Sequence, residues 1–423
     1  MDARRSDRDT ARLVRTLALP TFGLALSMSV LTTYAPVLLG EKTDSGTAIG
    51  LAIGGEGLFA LFLPVLVGAL SDRTSSRLGR RLPYAVFAAP LLAVPLVLLP
   101  FSDSYAATVA LVSLFFVGYF VYYPPYQALF AELVPASHHG RAQGVQGVAR
   151  GLGLGAALVG GGLLLSVWAP LPFVLAAGAL AVTTVALVRR VPRDSGTAAV
   201  APPRGPGIRT LLRERPELRG FVAANALWEF SFMGLKTFIV LYVVKGLGES
   251  VTLASAVIGV VAASYVLAAA ASGHLADRIG IVRLLRGAIY VYGAGLLFAA
   301  TVSSTGPLLV GLPFVALAGA VLMTLPYGLL MKLTPAGSEG AVSGLFNLSR
   351  ALGVILGPIV VGAAIDVGAS LFQATNGYGA MWVAIGVPIV LSLAFLPALE
   401  RVEEPAAGPG TSRAAVDDLA LSA

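Results

Sequence analysis

Long apolar segments alternate with short polar connections along the whole chain. Twelve of these segments are long enough to cross a membrane, since a spanning helix needs roughly 20 apolar residues. We therefore predict an all-α membrane protein with twelve transmembrane helices. The predicted spans are 16–40, 47–70, 84–100, 105–130, 142–166, 170–188, 221–244, 253–275, 287–304, 307–331, 341–365 and 379–398.

One long polar segment interrupts this pattern after the sixth span. Residues 189–220 are rich in Pro, Gly and Arg and have no apolar period, which is typical of a flexible linker. We predict an N-terminal six-helix half at 1–188, a cytoplasmic linker at 189–220, a C-terminal six-helix half at 221–398 and a disordered cytoplasmic tail at 399–423.

The composition supports a membrane protein. Of the 423 residues, 57% are hydrophobic and 12% are charged, whereas a soluble domain carries about 25% charged residues. The chain has no cysteine, which excludes disulfides, thiolate metal sites and thiol nucleophiles. We expect no metal site, no cofactor and no enzymatic activity, because the charged groups inside the spans are dispersed over several predicted helices.

The positive charges indicate an orientation. The net charge is +7, but the Lys and Arg residues lie at the ends of the predicted spans, so we expect no nucleic-acid partner. If both termini share one side, that side carries 24 of the 29 Lys and Arg residues and the other side carries two. The positive-inside rule then predicts a multi-pass protein of the cell membrane with both termini in the cytoplasm.

The two halves of the chain repeat each other. The segment GALSDR at Gly68–Arg73 recurs as GHLADR at Gly273–Arg278, each near the end of the second span of its half. Arg150 and Arg350 are also 200 residues apart in similar glycine-rich segments. A duplicated half is the architecture of transporters that move about a central site.

The most specific motif joins the second and third spans. It reads GALSDRTSSRLGRRLPY from Gly68 to Tyr84, and PYQALFAEL follows at Pro125–Leu133. Both segments resemble the major facilitator superfamily, and within it the sucrose/proton symporters and the glycoside, pentoside and hexuronide transporters. The resemblance implies the major facilitator fold, with two pseudo-symmetric six-helix halves.

The loop of this motif has the charges that a cytoplasmic gate needs. Asp72 can accept charge-assisted hydrogen bonds from Arg side chains when the cytoplasmic side is closed. The arginines alone would also serve as inside-positive charge. The predicted gate residues are Asp72, Arg73, Arg77, Arg80, Arg81, Glu132, Arg141, Asp277 and Arg278.

Five charged residues fall inside the predicted spans, namely Glu56, Arg150, Glu229, Lys236 and Arg350. Each costs about 2.5–3.5 kcal/mol at the centre of a spanning helix, so each is a candidate for function. We predict Glu56 and Glu229 as proton carriers. Because the resemblance places the second span beside the eleventh, we also predict a Glu56–Arg350 ion pair between the halves. The alternative is that these charges only neutralise partners on neighbouring helices.

One face of the seventh span combines groups that suit a sugar. Asn225, Glu229 and Lys236 share this face by helical spacing, with Trp228 beside them. Sugar hydroxyls need directed hydrogen bonds, and a sugar ring stacks on an aromatic side chain. Further candidates are Tyr123, Tyr126, Gln127, Gln146 and Asn347. Three basic and two acidic residues in the spans leave one net positive charge, which leaves room for an anionic substrate.

These patterns together predict a secondary transporter that works by alternating access and takes up a sugar, a glycoside or a similar small polar solute with protons. Proton-coupled efflux of drugs or metabolites is the alternative, because a fold fixes neither direction nor ligand. A membrane sensor or receptor would need an output domain, for which the 189–220 segment is too short. The expected partners are the small-molecule substrate, protons and the lipid bilayer, and we expect a monomer.

Overall fold

The computed structural model describes residues 2–135, 138–191, 208–334 and 338–403. Every regular element in these ranges is helical. Residues 192–207 of the predicted linker and residues 404–423 of the predicted tail lie outside the described residues.

Seven helices form the part of the chain before residue 192, which we call the N-terminal half. They are α1 (Asp2–Gly40), α2 (Gly46–Arg73), α3 (Leu82–Leu98), α4 (Tyr105–Leu133), α5 (His139–Gly155), α6 (Gly161–Val167) and α7 (Leu171–Arg190). A π turn at Ala156–Gly160 joins α5 to α6, so these two helices make one crossing. A short 3₁₀ turn at Leu99–Phe101 extends α3.

Eight helices form the part after residue 207, which we call the C-terminal half. They are α8 (Ile208–Glu214), α9 (Pro216–Leu241), α10 (Val251–Ile279), α11 (Ile281–Ala299), α12 (Thr305–Leu333), α13 (Glu339–Gly368), α14 (Ala380–Leu391) and α15 (Leu396–Glu403). A π turn at Tyr242–Gly246 extends α9, and a 3₁₀ turn at Ser392–Phe395 joins α14 to α15.

The number of membrane crossings agrees with the sequence pattern. Eleven helical segments in the described ranges are long and apolar enough to cross a membrane. The 29-residue helix α10, with its apolar part at Val251–Ser264, supplies the twelfth. The prediction of an all-α membrane protein is confirmed.

Large apolar side chains cover the outside of the bundle as well as its core. Phe62, Phe87, Val182, Val310 and Phe314 are each more than 60% exposed. In water such a surface would drive association, whereas in a bilayer these side chains contact lipid. The protein therefore needs lipid to cover this surface.

The connection between α10 and α11 is much shorter than the predicted loop at 276–286. Only Gly280 separates the two helices, and its φ of 91° lies in the left-handed region that glycine favours. Arg283 and Arg286 therefore belong to α11, where Arg286 forms an ion pair with Glu400 of α15.

The bundle has two ends that differ in charge. We call the end that carries the 74–81 connection, the start of α1 and the end of α7 the arginine-rich end. The opposite end carries the 41–45 connection and the starts of α4 and α12.

Candidate functional site

The two halves pack closely at the opposite end. Along a seam between α2 and α13, backbone meets backbone. A Cβ placed on Gly362 would lie 2.1 Å from the carbonyl oxygen of Gly46, and one on Gly50 would lie 2.2 Å from that of Pro358. The seam continues to Gly57, where the two helices are still in contact. Small residues permit such an approach between apolar helices.

Asp366, near the end of α13, binds the start of α2. Its carboxylate accepts hydrogen bonds from the backbone N–H groups of Gly46 (2.6 Å) and Thr47 (2.9 Å). It also accepts from the hydroxyls of Ser45 (2.9 Å) and Thr47 (2.6 Å). The first N–H groups of a helix have no partner inside the helix, and the helix dipole favours a negative charge there. Asp366 therefore links the two halves at the opposite end.

Lys245 makes a second polar link between the halves. Its ammonium group donates a hydrogen bond to the carbonyl oxygen of Gly40 and lies 3.3 Å from Oδ1 of Asp44.

Burial raises the pKa of the nearby Tyr378 to about 12, and the negative charges of Asp44 and Asp366 act in the same direction. The hydroxyl of Tyr378 is therefore uncharged at neutral pH.

A third contact between the halves joins α6 to α10. A Cβ on Gly162 would lie 1.3 Å from Oγ of Ser255. Beside this contact, the hydroxyl of Tyr34 donates a hydrogen bond to the carbonyl oxygen of Ala157 in the π turn (3.2 Å). Three separate contacts thus close the opposite end.

The arginine-rich end is open between the halves. Arg350 lies roughly 16 Å along α13 from the start of that helix at 1.5 Å per residue, yet its side chain is 54% exposed. Arg150, at the matching position in α5, is also exposed. A Cβ on Gly68, Gly144 or Gly147 would meet no atom within 4 Å. Charged side chains exposed this deep in the bundle define a cavity that opens toward the arginine-rich end.

Four charged side chains from α2, α9 and α13 form a cluster in this cavity. The Nε atom of Arg350 lies 3.7 Å from Oε1 of Glu229. Glu56 and Lys236 line one small pocket, and their charges act on each other. The two acids and two bases balance in formal charge.

A fifth charged residue, Arg150, lies beside an aromatic pair of α4. Its Nη2 atom donates a hydrogen bond to the hydroxyl of Tyr123 (3.3 Å). The ring of Tyr123 stacks on that of Tyr119, with centroids 5.4 Å apart and planes 11° apart. Tyr119 interacts electrostatically with Glu56, Arg150 and Arg350, so this aromatic pair belongs to the same cavity.

The predicted Glu56–Arg350 ion pair is replaced by two other pairings in this conformation. Arg350 pairs with Glu229 of its own half, and the base in the pocket of Glu56 is Lys236. The reason is the close packing of α9 and α13, in which a Cβ on Gly353 would lie 2.5 Å from Cβ of Glu229. Arg350 still acts electrostatically on Glu56.

Two of the predicted substrate residues pack inside the C-terminal half. Trp228 is fully buried, and its Nε1 atom donates a hydrogen bond to Oγ of Ser392 (2.9 Å). The Nδ2 atom of Asn225 donates to Oγ of Ser349 (2.8 Å). The structure does not bring Asn225 and Trp228 to the charged cluster, and Tyr119 and Tyr123 are the aromatic side chains found there.

Of the remaining predicted substrate residues, some pack inside the N-terminal half and one lies on the same helix face as Arg350. Tyr126 is buried and donates a hydrogen bond to the carbonyl oxygen of Leu17. The Nε2 atom of Gln146 donates to Oε1 of Gln127 (3.0 Å), which links α5 to α4. Asn347 is exposed on α13, and a spacing of three residues places it on the face of Arg350.

Arg81 organises the arginine-rich end of the N-terminal half. Its guanidinium is 5% exposed, lies 2.6 Å from Asp72 and donates hydrogen bonds to Glu132 (2.6 and 3.0 Å) and to Ser71 (2.5 Å). Arg80 lies 3.4 Å from the same oxygen of Glu132. Burial lowers the pKa of Arg81, but the hydrogen bonds and charges of Glu132 and Asp72 outweigh it, so the pKa lies above its ordinary value.

These contacts of Arg81 all lie within the N-terminal half. The other predicted gate residues are exposed at the surface, namely Arg73, Arg77, Arg141, Asp277 and Arg278. In this conformation, the contacts of Arg81 hold the N-terminal half together.

Sequence reasoning does not single out Asp366. It follows the predicted span 341–365 and resembles an ordinary acid in a polar connection. The first turn of α2 has no acidic residue, and its N-cap Ser45 accepts a hydrogen bond from the backbone N–H of Ala48. The N–H groups of Gly46 and Thr47 are left for another acceptor, and the sequence does not show which residue supplies it.

Apolar helical crossings around a charged cavity that is open at one end and closed at the other are the architecture of a membrane transporter. The sequence profile of the Major Facilitator Superfamily matches residues 17–358. The chain belongs to this family.

Solved transporters share the fold. A bacterial homolog of the human lysosomal transporter Spinster, in an inward-facing and unoccupied conformation, superposes with a TM-score of 0.75 at 17% identity, covering 93% of this chain and 97% of that one. The nucleoside transporter NupG gives a TM-score of 0.72 at 15% identity, covering 92% and 99%. The peptide transporter POT in complex with sulfate gives 0.69 at 16% identity, covering 93% and 96%. At these identities the likeness establishes the fold alone.

A partial sequence relative is a Klebsiella pneumoniae (strain 342) protein named "Putative multidrug resistance protein MdtD". It is 32% identical over 126 residues, which is 29% of this chain and 26% of that protein. The match therefore spans about a quarter of the relative's length.

Proposed function

We propose that this protein is a monomeric secondary active transporter of the cell membrane that works by alternating access. In this proposal the arginine-rich end and both termini face the cytoplasm, because Lys and Arg are concentrated there. The conformation described above is then the inward-facing state.

The observation that carries the proposal is the position of the charged cluster at the inner end of the seam. A Cβ on Gly57 of α2 would lie 3.0 Å from the carbonyl oxygen of Ala351 of α13. The charged residues Glu56 and Arg350 directly precede these two residues in the chain. A solute bound at this cluster contacts both halves. Its binding energy can therefore differ between two arrangements of the halves, which is the requirement for a ligand to shift a conformational equilibrium.

Protons are the coupling ion that this arrangement favours. Glu56 of the N-terminal half shares its pocket with Lys236 of the C-terminal half. Protonation of Glu56 neutralises its carboxylate and removes its attraction to the ammonium group of Lys236. The free energy that holds the two halves together therefore changes. The Glu229–Arg350 pair lies within one half, so it can persist while the halves move. We assign Glu56 as the proton carrier that responds to the movement and Glu229 as the group that orients Arg350.

A small polar solute, such as a sugar or a glycoside, is the substrate class that the cavity favours. Thr32 and Thr237 line the pocket of Glu56 and Lys236, and the stacked Tyr119 and Tyr123 provide a flat apolar surface. The hydroxyl groups of a sugar can form hydrogen bonds with the two threonines, and its ring can pack on the tyrosine rings. We propose uptake driven by an inward proton gradient.

Efflux of drugs or metabolites in exchange for protons is the second candidate. The partial resemblance to the multidrug resistance protein favours it. Ile53, Met233 and Val354 also line the central pocket, and such apolar groups suit an amphiphilic compound.

Solute uptake into proteoliposomes tests the proposal. Purified protein is reconstituted, and uptake of labelled disaccharides, glucosides and uronides is measured with and without an inward proton gradient. Glu56→Gln is the test variant. Glu41→Gln, an exposed acid outside the spans, is the matched control.

Substrate-specific uptake that grows with the gradient, disappears in Glu56→Gln and persists in Glu41→Gln supports proton-coupled uptake. Extrusion of amphiphilic compounds, without transport of any of the sugars tested, supports efflux of drugs or metabolites. Solute flux that is indifferent to the gradient contradicts proton coupling in either direction.

A further inference from the structure

The charges in the cavity are unevenly paired. Arg350 has Glu229 at 3.7 Å, and Lys236 shares a pocket with Glu56. Arg150, the symmetry mate of Arg350, has the hydroxyl of Tyr123 as its hydrogen-bond partner, and no carboxylate forms an ion pair with it among the described residues. The cavity therefore carries one positive charge that the protein does not neutralise.

An unneutralised guanidinium has different costs in the open and closed cavity. In the open conformation Arg150 is exposed, so water solvates it. When the arginine-rich end closes around the site, this water is lost, and a charge near the middle of a spanning helix becomes expensive. A bound anion would remove that cost.

Arg150 and Tyr123 are arranged to hold such an anion. The guanidinium is planar and carries several N–H donors, of which one points to the hydroxyl of Tyr123. While that hydroxyl accepts from Arg150, its own proton is free to be donated. Two donors from neighbouring helices, beside the stacked ring of Tyr119, suit a carboxylate attached to a ring or short carbon chain.

We propose that Arg150 and Tyr123 form an anion subsite, and that the transported solute is a small organic carboxylate with one negative charge. This inference rests on the proposed transport function and specifies its substrate class. One negative charge matches the single unpaired positive charge of the cavity.

Matched acids and amides test the subsite by binding alone. Glucuronate, lactate and benzoate are each compared with the corresponding neutral amide, by isothermal titration calorimetry on purified full-length protein. We expect at least one acid to bind about tenfold or more tightly than its amide, because a charge-assisted contact is the main difference between them. Arg150→Gln removes this preference, and Arg150→Lys keeps part of it.

Two controls separate a local effect from misfolding. Arg190→Gln replaces an exposed arginine in the last turn of α7 and should leave the acid preference unchanged. Each variant is also checked for its elution volume and melting temperature. If no acid binds better than its amide, or if the preference survives in a folded Arg150→Gln protein, the anion subsite is wrong.

The outcomes for the subsite and for transport are distinguishable. Binding is measured without a membrane gradient, so an acid preference that depends on Arg150 stands even if proteoliposomes show no solute uptake. Transport of neutral sugars by Arg150→Gln at the normal rate would retain the proposed function and remove the anion subsite.

Discussion

Asp366 of α13 holds Thr47 of α2 by two hydrogen bonds, accepting the backbone N–H at 2.9 Å and the side-chain hydroxyl at 2.6 Å. The two residues are 319 positions apart and belong to different halves. Because the carboxylate also caps the start of α2, breaking this contact exposes helix N–H groups as well as the acid. The contact therefore stabilises the closed state of the opposite end.

Asp366→Ala is expected to open the opposite end more often. The lost hydrogen bonds involve a charge but are partly screened by water, so we expect a cost of about 1–2 kcal/mol, or roughly a tenfold shift in the conformational equilibrium. The natural chain has no cysteine, so a single Ile359→Cys in the seam is a specific reporter. Its rate of reaction with an impermeant maleimide should rise about tenfold.

Thr47→Val is the graded control for this variant. It removes the hydroxyl contact with Asp366 and leaves the two backbone N–H contacts, so the labelling rate should rise less. Equal rates in the parent protein and in Asp366→Ala would mean that the carboxylate does not contribute to closure.

Gly50→Ala should prevent the seam from closing, because its Cβ would lie 2.2 Å from the carbonyl oxygen of Pro358. Gly55→Ala, five residues along α2, adds the same methyl group where no atom lies within 4 Å. Spin labels on Asp103→Cys and Ser303→Cys, exposed connections at the opposite end, report the separation of the halves. We expect the distance distribution to lengthen in Gly50→Ala and to stay unchanged in Gly55→Ala.

Glu56 and Lys236 should be energetically coupled. Glu56→Gln or Lys236→Met alone leaves the partner charge without compensation in the pocket, which destabilises the protein. The double variant removes both charges and should recover more than half of the lost melting temperature of the purified protein. Strict additivity of the two single effects would show that the pair does not interact.

Arg81→Ala should destabilise the N-terminal half. It removes the buried partner of Glu132 and the hydrogen bond to Ser71, with an expected loss of about 3 kcal/mol. Arg77→Ala changes an exposed arginine of the same loop and is expected to leave thermal unfolding in detergent almost unchanged. A similar melting temperature for both variants would mean that the arginines of this loop only set the orientation of the protein in the membrane and do not stabilise the fold.

The membrane crossings could be predicted because burial in lipid requires long apolar segments, and these are visible in the sequence. The 276–286 loop was predicted too long, because Gly280 turns the chain by itself and the Arg side chains that suggested a loop extend from α11. Helix ends of this kind depend on backbone geometry and not on polarity.

The charged residues of the cavity could be selected from sequence, but their pairing could not. Charge inside an apolar span marks Glu229 and Arg350 regardless of the fold. Their contact depends on how closely α9 and α13 pack at Gly353. Trp228 shows the same limit, since helical spacing places it near Glu229 but only packing decides that its ring is buried against the C-terminal half.

The seam between Gly46 and Gly362 also has a consequence for the permeability of the membrane. At this point the seal is made of main-chain atoms of two helices in direct contact, so no side-chain rotation can open it there. Ions can pass this point only if whole helices separate, which is a rare and collective event. A membrane that contains many copies of this protein can therefore hold an electrical potential without losing it through transporters that are not cycling.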